Sequence, residues 1–365
     1  MENYLYKNNK IAVGIMGATG TVGQRFIRLL SQHPWFKVTC VAASPKSAQK
    51  SYSEAVEGRW IEEIDIPQAI KELTVYDVTS DINTISKKVQ LLFSAISMDK
   101  KEVRELEENY AEKGIPIVSC NSAHRWTADV PMIIPEINPH HLEIIKSQRK
   151  KRNWDKGLIT VKPNCSIQSY VPVLHALKTF QIEKVIVSTY QAVSGAGKTL
   201  KSWPEMVDNV IPNISGEEKK SEDEPLKIWG KIKNGEIINN NSPVISSTCV
   251  RVPVSDGHLV SVSVKFKENP TYEEIIDTIT TFKNPLERFN LPSSPEKFLY
   301  YFTDNFRPQT KLDKNLDKGM AISVGRLRKD PILDWKFVAL SHNTIRGAAG
   351  GAVLIAELLH KKNYL

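Results

Sequence analysis

The chain has 365 residues, 41% hydrophobic and 25% charged, with 18 Gly and 20 Pro. This composition excludes collagen, a mostly disordered chain and a coiled coil, and leaves room for two ordinary domains. Charges interrupt the apolar runs well short of the ~18 residues a membrane span needs, and the polar stretch from Met1 to Lys10 has no apolar core of a secretory signal.

Residues 10–16 (Lys-Ile-Ala-Val-Gly-Ile-Met) read as a short buried strand. Glycines follow at 17, 20 and 23, then an apolar period through Phe26, Ile27, Leu29 and Leu30. Strand, glycine turn and helix in that order are the context of a dinucleotide site, although the spacing is G-x-x-G-x-x-G rather than the strict fingerprint. Glycine lets the backbone approach a pyrophosphate, and the helix N-terminus then offers free N–H donors. Residues 37–43 form a second predicted strand, ending Ala42-Ala43-Ser44-Pro45-Lys46-Ser47, with no acid until Glu54. An NAD site carries Asp or Glu there for the ribose 2′-hydroxyl. Hydroxyls and Lys46 suit a 2′-phosphate instead, so the cofactor is expected to be NADP; the bland alternative makes Lys46 a solvated loop lysine.

Further strands are predicted over 89–96 and 115–119, with a Lys/Glu-rich helix over 100–113 between them. Alternation of strand and helix implies a parallel sheet with crossovers. After a helix at 139–145, the basic run 146–156 (KSQRKKRNWDK) reads as a loop. Strands then dominate, at 158–161, 184–190, 244–254 and 258–265, which suggests an antiparallel or mixed sheet in a second domain. A polar stretch over 214–224 interrupts it, and 345–359 reads as an apolar helix rich in Gly and Ala.

Four cysteines, Cys40, Cys120, Cys165 and Cys249, lie far apart with no C-x-x-C pair. That argues against structural zinc and fits free thiols in a reducing cytosol. Cys165, in Pro163-Asn-Cys-Ser166, precedes a helical pattern formed by Ile167, Tyr170, Val171, Leu174 and Leu177. Pro172 within it should kink that helix or shift its start. A helix N-terminus favours thiolate, the nucleophile that acyl chemistry needs. Position alone leaves equally open a small buried apolar residue.

The segment Ala192-Val-Ser-Gly195-Ala-Gly197-Lys198-Thr199 is close to a phosphate-binding P-loop but lacks its first glycine, and Pro204 follows where the helix should run. Arg251 lies on a predicted strand and His258 just beyond a turn. Imidazole can shuttle a thiol's proton, and a guanidinium fork can bind a carboxylate. Alone, that pair is weak evidence.

In order along nearly the whole chain, these segments resemble aspartate-semialdehyde dehydrogenases of the archaeal and fungal branch. They are 17–23, 43–47, Phe93-Ser-Ala-Ile, Cys120-Asn-Ser-Ala, Pro163-Asn-Cys-Ser, Tyr190-Gln-Ala-Val-Ser-Gly-Ala-Gly, 217–225, Arg251-Val-Pro-Val-Ser-Asp-Gly-His and His342-Asn-Thr-Ile-Arg-Gly. The resemblance implies NADPH-dependent reductive dephosphorylation of L-aspartyl-4-phosphate to the semialdehyde, in lysine, threonine and methionine synthesis. It implies Cys165 as the thioacyl-forming nucleophile, His258 as acid/base, and Gln191 and Asn164 as orienting groups. Arg251 would grip the substrate carboxylate, Glu217 the amine, and Arg125 and Lys220 the phosphate, with the 217–220 register open by one. Cofactor contacts would come from Gly17, Thr19, Gly20, Thr21, Val22, Gly23, Ser44, Lys46, Ser47, Ser94, Gly195 and Asn343.

The implied α/β fold is a Rossmann-like domain over 1–163 joined by 343–365, and a mixed-sheet α+β catalytic and dimerisation domain over 164–342. A cytoplasmic homodimer or homotetramer, acting on a small molecule and on neither nucleic acid nor membrane, is the expected setting. Malonyl-CoA reductase, N-acetyl-glutamyl-phosphate reductase and glyceraldehyde-3-phosphate dehydrogenase share the thioester logic. An extended short-chain dehydrogenase would need Tyr-x-x-x-Lys after mid-chain, and here that pattern occurs only at Tyr6 and Lys10. A basic regulator binding nucleic acid through 146–156 lacks interleaved aromatic platforms.

Overall fold

The computed structural model describes residues 10–365, so Tyr6 and the polar lead before Lys10 lie outside the described residues. The first sheet contains β1 (Ile11–Met16), β2 (Phe36–Ala43), β3 (Val75–Asp77), β4 (Leu91–Ser94), β5 (Pro116–Ser119) and β6 (Leu158–Val161). Its order is β3-β2-β1-β4-β5-β6, and every pairing is parallel. That is the doubly wound dinucleotide-binding order, in which the chain reverses direction between β1 and β4 and opens a crevice at the strand C-termini. Both faces are covered, so the strands are runs of buried apolar residues rather than alternating ones. The helix Lys100–Glu112 starts where a capping box predicts, with Asp99 and Glu102 bonding each other's backbone N–H groups.

The second sheet contains β7 (Ile182–Gln191), β10 (Val244–Arg251), β11 (His258–Phe266), β12 (Leu299–Phe302), β13 (Ile322–Lys329) and β14 (Trp335–Ser341). A separate hairpin pairs β8 (Lys231–Lys233) with β9 (Glu236–Ile238). The sheet runs β10-β7-β11-β14-β13-β12 and is mixed, with β10–β7 and β12–β13 parallel and the rest antiparallel. β11 alternates buried and half-buried residues along its whole length, as one covered face requires. The chain ends in a five-residue π segment, Ile345–Ala349, continuous with the α-helix Gly350–Lys361. The ten residues from Gly350 to Leu359 are all buried, and Val353, Leu354 and Ile355 pack with Phe26, Ile27 and β1 in one core cluster. No helix among the described residues is long and apolar enough to cross a membrane.

Four local expectations change. β6 joins the first sheet by pairing with β5, not the second sheet. The basic run is not a loop: Ile145–Arg152 is helical and stops at Asn153, which adopts the left-handed conformation. Partners distant in sequence account for this. Arg152 donates to Asp129 at 2.7 and 3.0 Å and to Glu108 at 2.8 Å, while Arg149 donates to the carbonyls of Lys156, Gly157 and Tyr364. The polar stretch before Glu224 belongs to a helix, Glu217–Ile228, which tolerates Pro225 within it. The helix after Cys165 does not begin there. Ser166–Ser169 is a 3-10 turn, and Val171–Ala176 starts anew with Pro172 in its first turn, the place where a missing N–H costs least.

Candidate active site

The glycine turn follows β1 at the switch point. Gly17 has φ +81°, and a Cβ there would meet the Ala95 carbonyl oxygen, just past β4, at 2.4 Å. A Cβ on Gly23 would meet the Gly17 carbonyl at 2.2 Å. Gly17 and Gly23 are therefore required by close backbone approach. Gly20 is not required by space, since a Cβ there would meet only the Gly17 carbonyl at 3.5 Å; it heads the helix Thr21–Leu30 without any side-chain cap. The first-turn N–H groups at Thr21, Val22 and Gly23 face the crevice uncapped, which suits an anionic diphosphate. Thr19 lies half-buried on the same turn, and Thr21 Oγ1 donates to the Gly197 carbonyl at 3.3 Å, joining this turn to the 193–197 loop. Beyond β2, Ser44 and Lys46 are exposed and Ser47 is buried, its N–H bonded to the Ser44 carbonyl. Ser94 ends β4 and accepts from Asn121 at 2.9 Å. The cradle fits a nicotinamide dinucleotide.

Cys165 is carried out of β6 by Lys162, Pro163 and Asn164, and it meets His258, the first residue of β11. Cys165 Sγ and His258 Nε2 are 3.4 Å apart. The Ala192 N–H donates to His258 Nδ1 at 3.1 Å. Nδ1 is thus the bare nitrogen, and Nε2 carries the proton of the neutral ring. The imidazole offers the sulfur an N–H donor. Full burial, reinforced by Arg251, pushes His258 down to about 3, so the ring is neutral. Burial, then Glu217, pushes the Cys165 thiol up to about 11, while Lys162, Arg125 and Arg251 pull the other way. This corrects the expectation of an intrinsically anionic sulfur: a 3-10 turn of four residues replaces the α-helix dipole, and desolvation wins.

The remaining side chains converge on the same wall. Asn164 Nδ2 donates to both Glu217 oxygens at 3.0 and 2.9 Å, Gln191 Nε2 reaches Glu217 at 3.4 Å, and Lys220 Nζ pairs with it at 2.7 Å. Burial raises the Glu217 pKa, but Lys220 and these hydrogen bonds outweigh it and hold the group below the ordinary carboxylate range. Arg125 pairs with buried Glu224 at 2.8 Å and also donates to the carbonyls of Lys162 and Cys120. Glu224 accepts the Asn164 N–H as well, at 2.6 Å. Arg251 donates to the Ala192 carbonyl at 2.7 Å. Gly195 lies over both groups: a Cβ there would come within 2.8 Å of Arg251 Nη1 and 3.2 Å of His258 Nε2. Asn343 bridges the loops, donating to Ser194 Oγ and accepting from the Gly257 N–H, each at 2.8 Å.

Sequence reasoning missed Glu224, Lys162 and Gly347. A Cβ on Gly347 would lie 2.8 Å from Cys165 Cβ. Only Lys162 offered a signal, by standing three residues before Cys165. Among the described residues, no group of three or more His, Cys, Asp or Glu side chains is arranged to hold a metal ion.

Two family models match: "Semialdehyde dehydrogenase, NAD binding domain" over 12–145 and "Semialdehyde dehydrogenase, dimerisation domain" over 172–346. The chain is 42% identical to the aspartate-semialdehyde dehydrogenase of Archaeoglobus fulgidus, covering 98% of this chain and 100% of the relative. It is 40% identical to that of Schizosaccharomyces pombe, over 97% of this chain and 99% of the relative. A crystal structure of the Candida albicans enzyme with NADP superposes with a TM-score of 0.86 at 33% identity, covering 98% of this chain and 100% of the other. With a cysteine–histidine pair beneath a dinucleotide cradle and relatives alike from end to end, the chain belongs to the aspartate-semialdehyde dehydrogenase family.

Proposed function

We propose that this protein reduces L-aspartyl-4-phosphate to L-aspartate 4-semialdehyde with release of phosphate, by way of a thioester on Cys165. The observation that carries the reading is the sulfur 3.4 Å from His258, on a wall of substrate-sized polar groups next to the glycine cradle. The residues of the turn 17–23, with Ser44, Lys46, Ser47 and Ser94, would hold NADP. That group, when bound in its reduced form, supplies the hydride.

The Cys165 sulfur attacks the acyl carbon. The C–S bond forms as the S–H bond and the bond to phosphate break, the thiol proton leaves with the phosphate, and Arg125 and Lys220 receive the departing anion. Arg251 holds the substrate carboxylate and Glu217 its ammonium, while Asn164 and Gln191 orient the acyl group. His258 donates its Nε2 hydrogen bond to the oxyanion that develops and then to the sulfur as it leaves. Because the site is buried, each of these interactions is stronger than it would be in water. Glu217 also favours the aspartyl substrate over malonyl-CoA, which has no amine to meet it. The boundary at 163/164, with 343–365 returning to the cofactor unit, goes with this reading. So does a homodimer or homotetramer of a cytoplasmic enzyme, for which the exposed Ile186, Tyr190 and Val244 on the second sheet provide an apolar face.

The deciding assay runs the reaction backwards: semialdehyde, phosphate and NADP should yield reduced nicotinamide absorbance dependent on all three. Faster reduction of malonyl-CoA than of aspartyl-phosphate would overturn the substrate. His258→Gln should lower kcat by roughly 10²–10⁴-fold, the usual contribution of a positioned proton donor. Arg251→Leu should raise KM for the acidic substrate roughly 10–100-fold, from the ~1.5–3 kcal/mol of a charged hydrogen bond. Its NADPH affinity, followed by nucleotide fluorescence, should stay unchanged.

A further inference from the structure

Glu217 is to meet the substrate ammonium, yet its carboxylate already has every acceptor site in use. Asn164 Nδ2 donates to both of its oxygens at 3.0 and 2.9 Å, Lys220 Nζ to Oε1 at 2.7 Å and Gln191 Nε2 to Oε2 at 3.4 Å. A carboxylate offers about four lone-pair sites. An incoming ammonium must therefore displace one of these donors.

The donors are held unequally. Asn164 is 4% exposed, and its own Oδ1 accepts from the Ser166 N–H at 2.8 Å and from Ser166 Oγ at 2.6 Å, so its amide is locked in place. Gln191 is 1% exposed and is tied to Thr189 Oγ1 at 3.2 Å as well. The Lys220 side chain is 27% exposed, and Glu217 is the one partner of its ammonium among the described residues. It stands in the first turn of the helix Glu217–Ile228, on a flexible four-carbon stem. An ion pair open to solvent is weakly held, because water receives the charge that lets go. Lys220 is therefore the donor that yields at least cost. Asn164 also joins this pair to Arg125: its backbone N–H and Arg125 Nη1 meet on the two oxygens of Glu224, at 2.6 and 2.8 Å. Arg125 and Lys220 are thus each one carboxylate away from the residue that precedes Cys165. A Lys220 ammonium released from Glu217 is an unpaired cation on the wall where the phosphate leaves.

We propose that Lys220 has two positions and couples recognition of the amine to capture of the phosphate: the substrate ammonium replaces it on Glu217, and the freed Lys220 turns to the phosphate. This rests on Glu217 taking the substrate amine and Lys220 the phosphate. One ammonium replaces another on the same carboxylate, so no proton is gained or lost. Aspartyl-phosphate carries both groups, so docking its amine readies the anion site for its own phosphate. An acyl substrate without an amine leaves Lys220 on Glu217. Binding of amine and phosphate is consequently cooperative, and each tightens the other by the same factor.

Inorganic phosphate is titrated calorimetrically into the full-length enzyme at fixed ionic strength, alone and with saturating L-2-aminobutyrate, which has the substrate's carboxylate and amine but no carbonyl to react. Butyrate, which lacks the amine, is the control. Aminobutyrate should tighten phosphate binding at least about fivefold, the lower end of coupling between two sites, and butyrate should not. Lys220→Met removes one part-exposed ion pair and should fold. It should show no gain with aminobutyrate. Equal phosphate affinity with and without aminobutyrate in the wild type would overturn the proposal, as would aminobutyrate that does not bind or an equal gain with butyrate, even if K220M failed to fold. A gain that K220M retains would overturn it too. Failure of the parent reading shows up separately, as no reduced nicotinamide from semialdehyde, phosphate and NADP.

Discussion

Cys165→Ser is expected to lower turnover by on the order of 10⁶-fold, the scale seen when a nucleophile is removed from an otherwise intact site. A serine hydroxyl placed here would need a base within reach. The nitrogen within hydrogen-bond reach of this position, His258 Nε2, carries a proton because Nδ1 accepts from Ala192. The alcohol would remain neutral and inert, and no thioester would form. The variant should still bind NADPH with wild-type affinity, because the cradle at 17–23 is formed by backbone and glycine and owes nothing to the sulfur. The measurement is a paired one, steady-state rate and nucleotide fluorescence titration. Near-normal turnover would remove Cys165 from the reaction. Cys249 would be a poor substitute, being fully buried against Ser221 at 3.7 Å.

The largest stability effect is expected at Glu136 and Arg346, 210 residues apart in sequence. Arg346 donates Nη1 and Nη2 to the two Glu136 oxygens at 2.6 and 2.5 Å, and both side chains are at most 1% exposed. Glu136→Ala or Arg346→Met should each cost about 3–5 kcal/mol of unfolding free energy, because each strands the opposite charge in the interior. The double variant should recover most of that loss, since removing both charges also removes both desolvation penalties. Urea titrations of the three variants measure it. A double variant as unstable as the singles would show that the packing of Arg346 over Phe298, rather than the charge pair, carries the effect. Gly347, next to Arg346, touches Cys165, so the single variants should also lower kcat.

Local pattern made much of this protein legible. The period-3.6 run after Gly20, the acid-free end of β2 and the alternation of strand and helix up to β5 depend on neighbours within a few residues. They came through with their elements intact, and so did the effect of Pro172, whose fixed φ and missing N–H act wherever it stands. The basic helix Ile145–Arg152 was not legible, because its charge is neutralised by Asp129 and Glu108, which arrive from other elements. The same holds for Glu224, which no spacing marks, and for the pairing of Glu217 with Asn164 and Gln191, since a hydrogen bond between residues 26 to 53 apart leaves no periodic trace.

The amino-acid order by itself determined the dinucleotide unit, the family, and which cysteine and histidine to watch, because glycine turns and short motifs are backbone chemistry written over consecutive residues. Tertiary structure alone decided the electrical state of those groups. Burial turned a sulfur expected to be anionic into a neutral thiol, and one backbone N–H, that of Ala192, chose which imidazole nitrogen holds the proton. Two glycines, Gly347 and Gly351, let the last helical segment pack directly against Cys165 and Lys162. Desolvation and hydrogen-bond partnership depend on everything that packs around a group, and that environment exists only once the chain has folded.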